Sequence, residues 1–158
     1  CGGEHDFVKV LDFGLAKRTE SSPEDVQLTQ VGRVFGTPLF MAPETAAEET
    51  SDHRSDQYSI GCVAYWMLVG KPPFEGTNPY DVIAKHIRVE PKPPSSESEL
   101  DIPVELDAIV LRCLSKQPRD RFAGMGELRA ALDSISLAEP WSGEQADEWW
   151  GLHMGERT

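Results

Sequence analysis

Gly36-Thr37-Pro38-Leu39-Phe40-Met41-Ala42-Pro43-Glu44 is the stretch on which the reading of this chain turns. Upstream of it stands Asp12-Phe13-Gly14, preceded by Phe7-Val8-Lys9-Val10-Leu11. That β-branched and aromatic run, closed by an Asp and a Gly, predicts a short strand over residues 7–11 with a turn behind it. From residue 16 to residue 40 no helical or strand period is sustained, and Ser, Thr, Gln and Gly dominate. A loop of that length inside a compact domain is usually functional or disordered.

Downstream of Glu44 the pattern turns helical. Ile60, Val63, Ala64, Met67 and Leu68 recur at helical spacing, with Asp52, Ser55 and Asp56 as N-cap candidates and Gly70 before Lys71-Pro72-Pro73 as the stop. A second helix is expected from Asn78-Pro79 through Val82, Ile83, His86 and Ile87, with proline in the first turn. Pro91, Pro93, Pro94 and Pro103 make an extended connector. Leu106, Ile109, Val110, Cys113 and Leu114 predict a third helix, and Met125, Leu128, Leu132 and Ile135 a fourth. Ser142 with Gln145 three residues later is a capping box opening a tail helix that carries Trp149, Trp150 and Leu152. No internal repeat is visible. One strand followed by four or five helices is a mainly α assembly.

The 158 residues carry 27 acidic and 15 basic side chains, a formal charge of −12. Both halves of the chain are acidic, so no basic face is available to hold nucleic acid by counterion release. The three cysteines Cys1, Cys62 and Cys113 and the four histidines are scattered, which indicates neither a disulfide framework nor a zinc site. Cys62 and Cys113 fall on apolar helix faces and read as small core residues. Residues 58–70 form the longest hydrophobic uncharged stretch, too short to span a bilayer and suited to a buried helix. No signal peptide is visible, and a reduced, cytoplasmic setting is expected. The first residue is Cys1 and not Met, which reads as the start of a piece of a longer chain.

Taken in order, Asp12-Phe13-Gly14, Ala42-Pro43-Glu44, Asp56-Gln57-Tyr58-Ser59-Ile60-Gly61, Gly70-Lys71-Pro72-Pro73-Phe74 and Pro118-Arg119-Asp120-Arg121-Phe122 closely resemble the C-terminal lobe of a serine/threonine protein kinase of bacterial type. The resemblance implies a partial kinase domain over residues 1–137, most of its β structure missing, with an activation segment over residues 12–44 and a tail over residues 138–158. It implies ATP and Mg²⁺ as cofactors, with Asp12 the metal ligand, Phe13 the apolar switch beside it and Gly14 the turn residue. Thr37 would approach the catalytic base, and Gly36, Thr37, Pro38, Leu39 and Phe40 would hold the protein substrate. Phe40 stands where the family usually has Tyr, and Tyr58 where Trp is usual. The resemblance further implies that Glu44 and Arg121 pair inside and that Asp56, besides serving as an N-cap, anchors the catalytic loop. Ser21, Ser22 and Thr29 are candidate phosphorylation sites on the loop.

The same comparison shows what these 158 residues do not contain. No Gly-rich loop, phosphate-binding lysine or His-Arg-Asp precedes Asp12, and the only asparagine, Asn78, lies after it. His53-Arg54-Ser55 is a decoy, since it follows Ala-Pro-Glu and lacks the Asp. The chain is therefore expected to be inactive alone and to need an N-terminal lobe as partner. A pseudokinase, or a non-catalytic binding module docking through residues 77–87, remains an alternative. The tail tryptophans fit a helix packed back on the lobe, or else a lead into another module or a membrane anchor beyond Thr158.

Overall fold

The computed structural model describes residues 38–47, 49–137 and 141–153. The chain divides into two compact units, Gly32–Ile135 and a second made of Cys1–Val31 with Ser136–Thr158. The expected strand over residues 7–11 lies outside the described residues, and among those described there is no strand. The architecture is that of a helical lobe.

In the larger unit a 3-10 turn, Pro38–Phe40, leads into α1 (Pro43–Ala46), and α2 (His53–Val69) follows. Of the three N-cap candidates, Asp52 takes the role. Its backbone is extended and its side chain accepts from the Arg54 N–H at 2.8 Å. Asp56 falls one turn inside the helix, so the N-cap reading of Asp56 is corrected. Gly70 ends α2 at φ 78°, a left-handed conformation that glycine adopts without steric cost. α3 (Pro79–Arg88) opens as expected, with the Asn78 side chain accepting from the Asp81 N–H at 3.0 Å. The connector after it contains one 3-10 turn, Pro94–Ser96, held by Asp107, whose carboxylate accepts from the Ser95 N–H at 3.0 Å and from the Ser95 hydroxyl. α4 (Val104–Cys113) and α5 (Met125–Asp133) complete this unit.

The core lies where α4 packs on α2. Tyr58, Cys62 and Tyr65 meet Ala42, Val110 and Leu114, and a second cluster of Ile109, Cys113, Phe122 and Leu128 continues it toward α5. Gly61 permits this approach, because a Cβ there would stand 2.7 Å from the Cβ of Cys113. The face of α2 that hydropathy picks out is only partly the buried one: Ala64 and Leu68 pack against the core, but Ile60, Val63 and Met67 are exposed while Gln57, Tyr58 and Gly61 are buried. The buried face is defined by hydrogen bonds as much as by apolar area, which a hydropathy count does not register.

In the second unit α6 (Gly143–His153) starts with the expected capping box, Ser142 N–H to Gln145 Oε1 at 2.8 Å and Gln145 N–H to Ser142 Oγ at 3.2 Å. The Trp149 ring stacks on His153 with centroids 4.2 Å apart. No helix among the described residues is long and apolar enough to cross a membrane.

Candidate functional site

Of the residues singled out in the sequence, Asp12, Phe13, Gly14, Ser21, Ser22, Thr29, Gly36 and Thr37 lie outside the described residues. Pro38, Leu39 and Phe40 form the 3-10 turn and are half-buried. The Ser59 hydroxyl on α2 donates to the Phe40 carbonyl at 2.8 Å, fixing the main chain of the turn. Directly after it, Ala42 is buried in the core and Pro43 occupies the first turn of α1, where its lack of an N–H costs nothing.

Glu44 is carried by α1 into the interior, where it meets Arg121 across the unit. Arg121 Nη1 lies 2.7 Å from Glu44 Oε1 and Nη2 lies 2.8 Å from Oε2, a two-point pairing of fork on fork. Both side chains are almost wholly removed from water. The remaining N–H groups of the guanidinium donate to the carbonyls of Arg54 at 2.8 Å, Ser115 at 2.9 Å and Lys116 at 3.3 Å. All five donors of the arginine are thereby used, which is the condition for a buried guanidinium to be tolerated. Its plane also lies over the Tyr58 ring, 4.9 Å from the centroid. Burial pushes the Glu44 carboxyl pKa up, but hydrogen bonds from Arg121, Ser55 and its own backbone outweigh this and hold it below the usual carboxylate range. Ser55 contributes by donating to Glu44 Oε1 at 2.6 Å.

Two further connections escape the sequence reading. The Gln57 amide exchanges a pair of 3.1 Å hydrogen bonds with the main chain of Phe122, the residue after Arg121. Tyr58 Oη lies 2.9 Å from His86 Nδ1, tying α2 to α3. Burial, reinforced by nearby Lys116, lowers the His86 pKa to about 4, while the Leu39 main chain pulls the other way. The imidazole is neutral at ordinary pH. The available signal for the second was a histidine in line with the apolar positions Val82, Ile83 and Ile87 of α3. A polar residue there must have a partner, but sequence does not say which.

Asp56 stands exposed in the first turn of α2, and its side chain makes no hydrogen bond among the described residues. Cys62 and Cys113 are buried, and burial raises their thiols to about 12 and about 11, so both are inert packing residues. No cluster of three metal-ligating side chains occurs among the described residues.

Against known proteins, the family model described as the protein kinase domain matches residues 2–132. The chain is 43% identical over 133 residues to serine/threonine-protein kinase PknB of Mycobacterium tuberculosis, covering 84% of this chain and 21% of that protein. It is 44% identical over 129 residues to PknB of Mycolicibacterium smegmatis, covering 82% and 20%, and 41% identical over 133 residues to serine/threonine-protein kinase pkn3 of Myxococcus xanthus, covering 84% and 24%. The chain thus spans 20–24% of the length of these relatives. With Ala-Pro-Glu joined through a buried ion pair to the loop after α4, and with the family match running over most of its length, the chain belongs to the protein kinase domain family.

Proposed function

We propose that this chain is the helical lobe of a serine/threonine protein kinase that transfers the γ-phosphate of ATP to protein hydroxyls. The observation that carries the reading is the buried Glu44–Arg121 pair, which fastens the end of the activation segment to the lobe and so fixes the turn at Pro38–Phe40 next to it. In this reading Gly36 to Phe40 hold the substrate peptide and Thr37 helps place the acceptor. Asp56, with its carboxylate exposed, is free to anchor a catalytic loop supplied by the rest of the kinase domain. Asp12 offers the hard oxygen ligand that suits Mg²⁺, and the ion would neutralise charge on the transferring phosphoryl group.

The 158 residues by themselves are expected not to catalyse transfer. Phosphoryl transfer depends almost entirely on positioning and electrostatic stabilisation, and no Gly-rich loop, phosphate lysine or His-Arg-Asp precedes Asp12 in this sequence. The test compares the full-length gene product with the 158-residue chain, each incubated with radiolabelled ATP, Mg²⁺ and a generic Ser/Thr-rich protein. Transfer by the full-length product, abolished by Asp12→Asn, is expected. No transfer by that product would overturn the kinase reading, and transfer by the pure short chain would overturn its inactivity.

A further inference from the structure

We propose that a cleft at the C-terminal end of α2 binds a small zwitterion with an apolar side chain, of the class of the free α-amino acids. The proposal goes beyond the kinase reading and does not depend on it.

The cleft encloses about 210 Å³, below the roughly 300–1,000 Å³ usual for ligand pockets, so its ligand is small. Its walls are Tyr65 from the last turns of α2, Pro72 and Phe74 from the loop after Gly70, and Val89, which caps the C-terminus of α3. Three rings and a branched aliphatic chain suit an apolar group that is leaving water. Tyr65 is 2% exposed, yet its hydroxyl has no hydrogen-bond partner among the described residues. Burial, with Glu97 close by, raises the phenol pKa, so the group is a protonated donor. A buried hydroxyl without a partner is unfavourable, and a ligand oxygen placed against it would relieve this.

The charges around the cleft fall into two groups. Lys71 and Lys92 share one carboxylate, with Lys71 Nζ 2.8 Å from Glu97 Oε2 and Lys92 Nζ 2.6 Å from Oε1. Both oxygens are thereby engaged, and the two ammoniums hold the Glu97 carboxyl at about 2. One positive charge is left over, and each ammonium keeps N–H groups to spare. The charges of Lys71 and Glu97 also act on the Tyr65 hydroxyl, so the spare donors and the hydroxyl belong to one end of the cleft. The other group is Glu75 and Glu90, both exposed and neither in an ion pair among the described residues. A simple anion would meet these two carboxylates, and a simple cation would meet the two ammoniums. A zwitterion satisfies both groups at once. Its carboxylate accepts from the Tyr65 hydroxyl and Lys71, its ammonium donates to Glu75 or Glu90, and its side chain lies against Pro72 and Phe74.

The experiment is isothermal titration calorimetry of the full-length gene product with L-leucine and three relatives. Isocaproate lacks the ammonium, isoamylamine lacks the carboxylate, and glycine lacks the side chain. L-Leucine should bind at a single site, about ten-fold or more tighter than any of the three, since each loses a charge-assisted hydrogen bond or the buried apolar group. Tyr65→Phe keeps the ring in the core and removes only the hydroxyl, so it should weaken L-leucine by about ten-fold and leave isoamylamine unmoved. Glu75→Gln combined with Glu90→Gln changes two exposed side chains and should bring L-leucine down to the level of isocaproate. No binding of L-leucine at millimolar concentration would overturn the proposal. So would equal binding of isocaproate or isoamylamine by the unmodified protein, which would make the cleft a plain anion or cation site. L-Leucine binding unchanged by both sets of substitutions would place the ligand elsewhere on the protein and overturn it as well.

Discussion

Replacing Arg121 by Ala removes a side chain whose five N–H groups are all engaged, and the consequence can be worked through bond by bond. Glu44 would lose both of its guanidinium contacts, at 2.7 and 2.8 Å, and keep only the Ser55 hydroxyl for a carboxylate that is 4% exposed. The carbonyls of Arg54, Ser115 and Lys116 would each lose a donor. Breaking a buried pair from one side typically costs about 3–5 kcal/mol, because the surviving charge stays buried without compensation. Total stabilities of about 5–15 kcal/mol leave little room for such a loss. With a urea slope of about 1–3 kcal/mol per molar, the unfolding midpoint should fall by roughly 2 M, or the variant should be unfolded from the start. The matched control is Arg119→Ala. Arg119 lies two residues away, its side chain is 81% exposed, and its nearest carboxylate, Asp120, is 3.9 Å distant. Exposed pairs of that kind contribute little. Urea titrations of the chain and both variants, followed by far-ultraviolet circular dichroism, decide the matter. Equal midpoints for Arg121→Ala and Arg119→Ala would refute the reasoning, since they would show that the buried fork is energetically no different from a surface charge.

Four further outcomes follow from the same geometry. Stability should fall as pH drops from 6.5 toward 4, because the unfolded chain protonates its histidine in that window while folded His86 stays neutral down to about 4; His86→Phe should flatten this part of the pH–stability curve, and an unchanged slope would discount the buried imidazole. The Glu44 contribution has the other shape, since its carboxyl is held below the usual 4.5, so it is intact above that pH and lost on further acidification; a Glu44→Gln chain whose stability falls just as steeply below pH 4.5 as the parent's would count against the pairing. Gly61→Ala should destabilise by about 1–3 kcal/mol through its 2.7 Å clash with Cys113, whereas Gly126→Ala in α5, where an added Cβ meets nothing within 4 Å, should stabilise by up to about 1 kcal/mol; thermal melts that rank the two the other way would refute the packing of α2 on α4. Gln57→Ala should cost about 1–3 kcal/mol for each of the two Phe122 main-chain groups it strands, and a melt unchanged by it would show water taking the amide's place.

The amino-acid sequence by itself determined what depends on neighbours along the chain. The start of α3 at Asn78-Pro79, the stop of α2 at Gly70 and the Ser142/Gln145 box of α6 were legible because each is decided within a turn of helix, by groups the backbone brings together regardless of the rest. The pairing of Glu44 with Arg121 was legible for another reason. Each sits inside a distinctive motif, and the resemblance to protein kinases supplied the contact across 77 positions that no local rule could. Asp52 rather than Asp56 as the cap of α2 was already beyond that reach. Both stand within one turn of the helix start, and the choice falls to whichever residue the incoming chain holds extended.

Tertiary structure alone decided which face of α2 is buried. Hydropathy pointed to Ile60, Val63, Ala64, Met67 and Leu68; Ala64 and Leu68 do pack on the core, yet the other three are exposed, while Gln57 and Tyr58 are buried because Phe122 and His86 arrive to satisfy them. The same holds for Trp66, whose place beside Phe40 depends on how the Pro38–Phe40 turn lies across the helix. Hydropathy ranks a residue by its transfer from water in isolation, and the worth of a buried polar side chain is set by a partner that only the folded chain delivers.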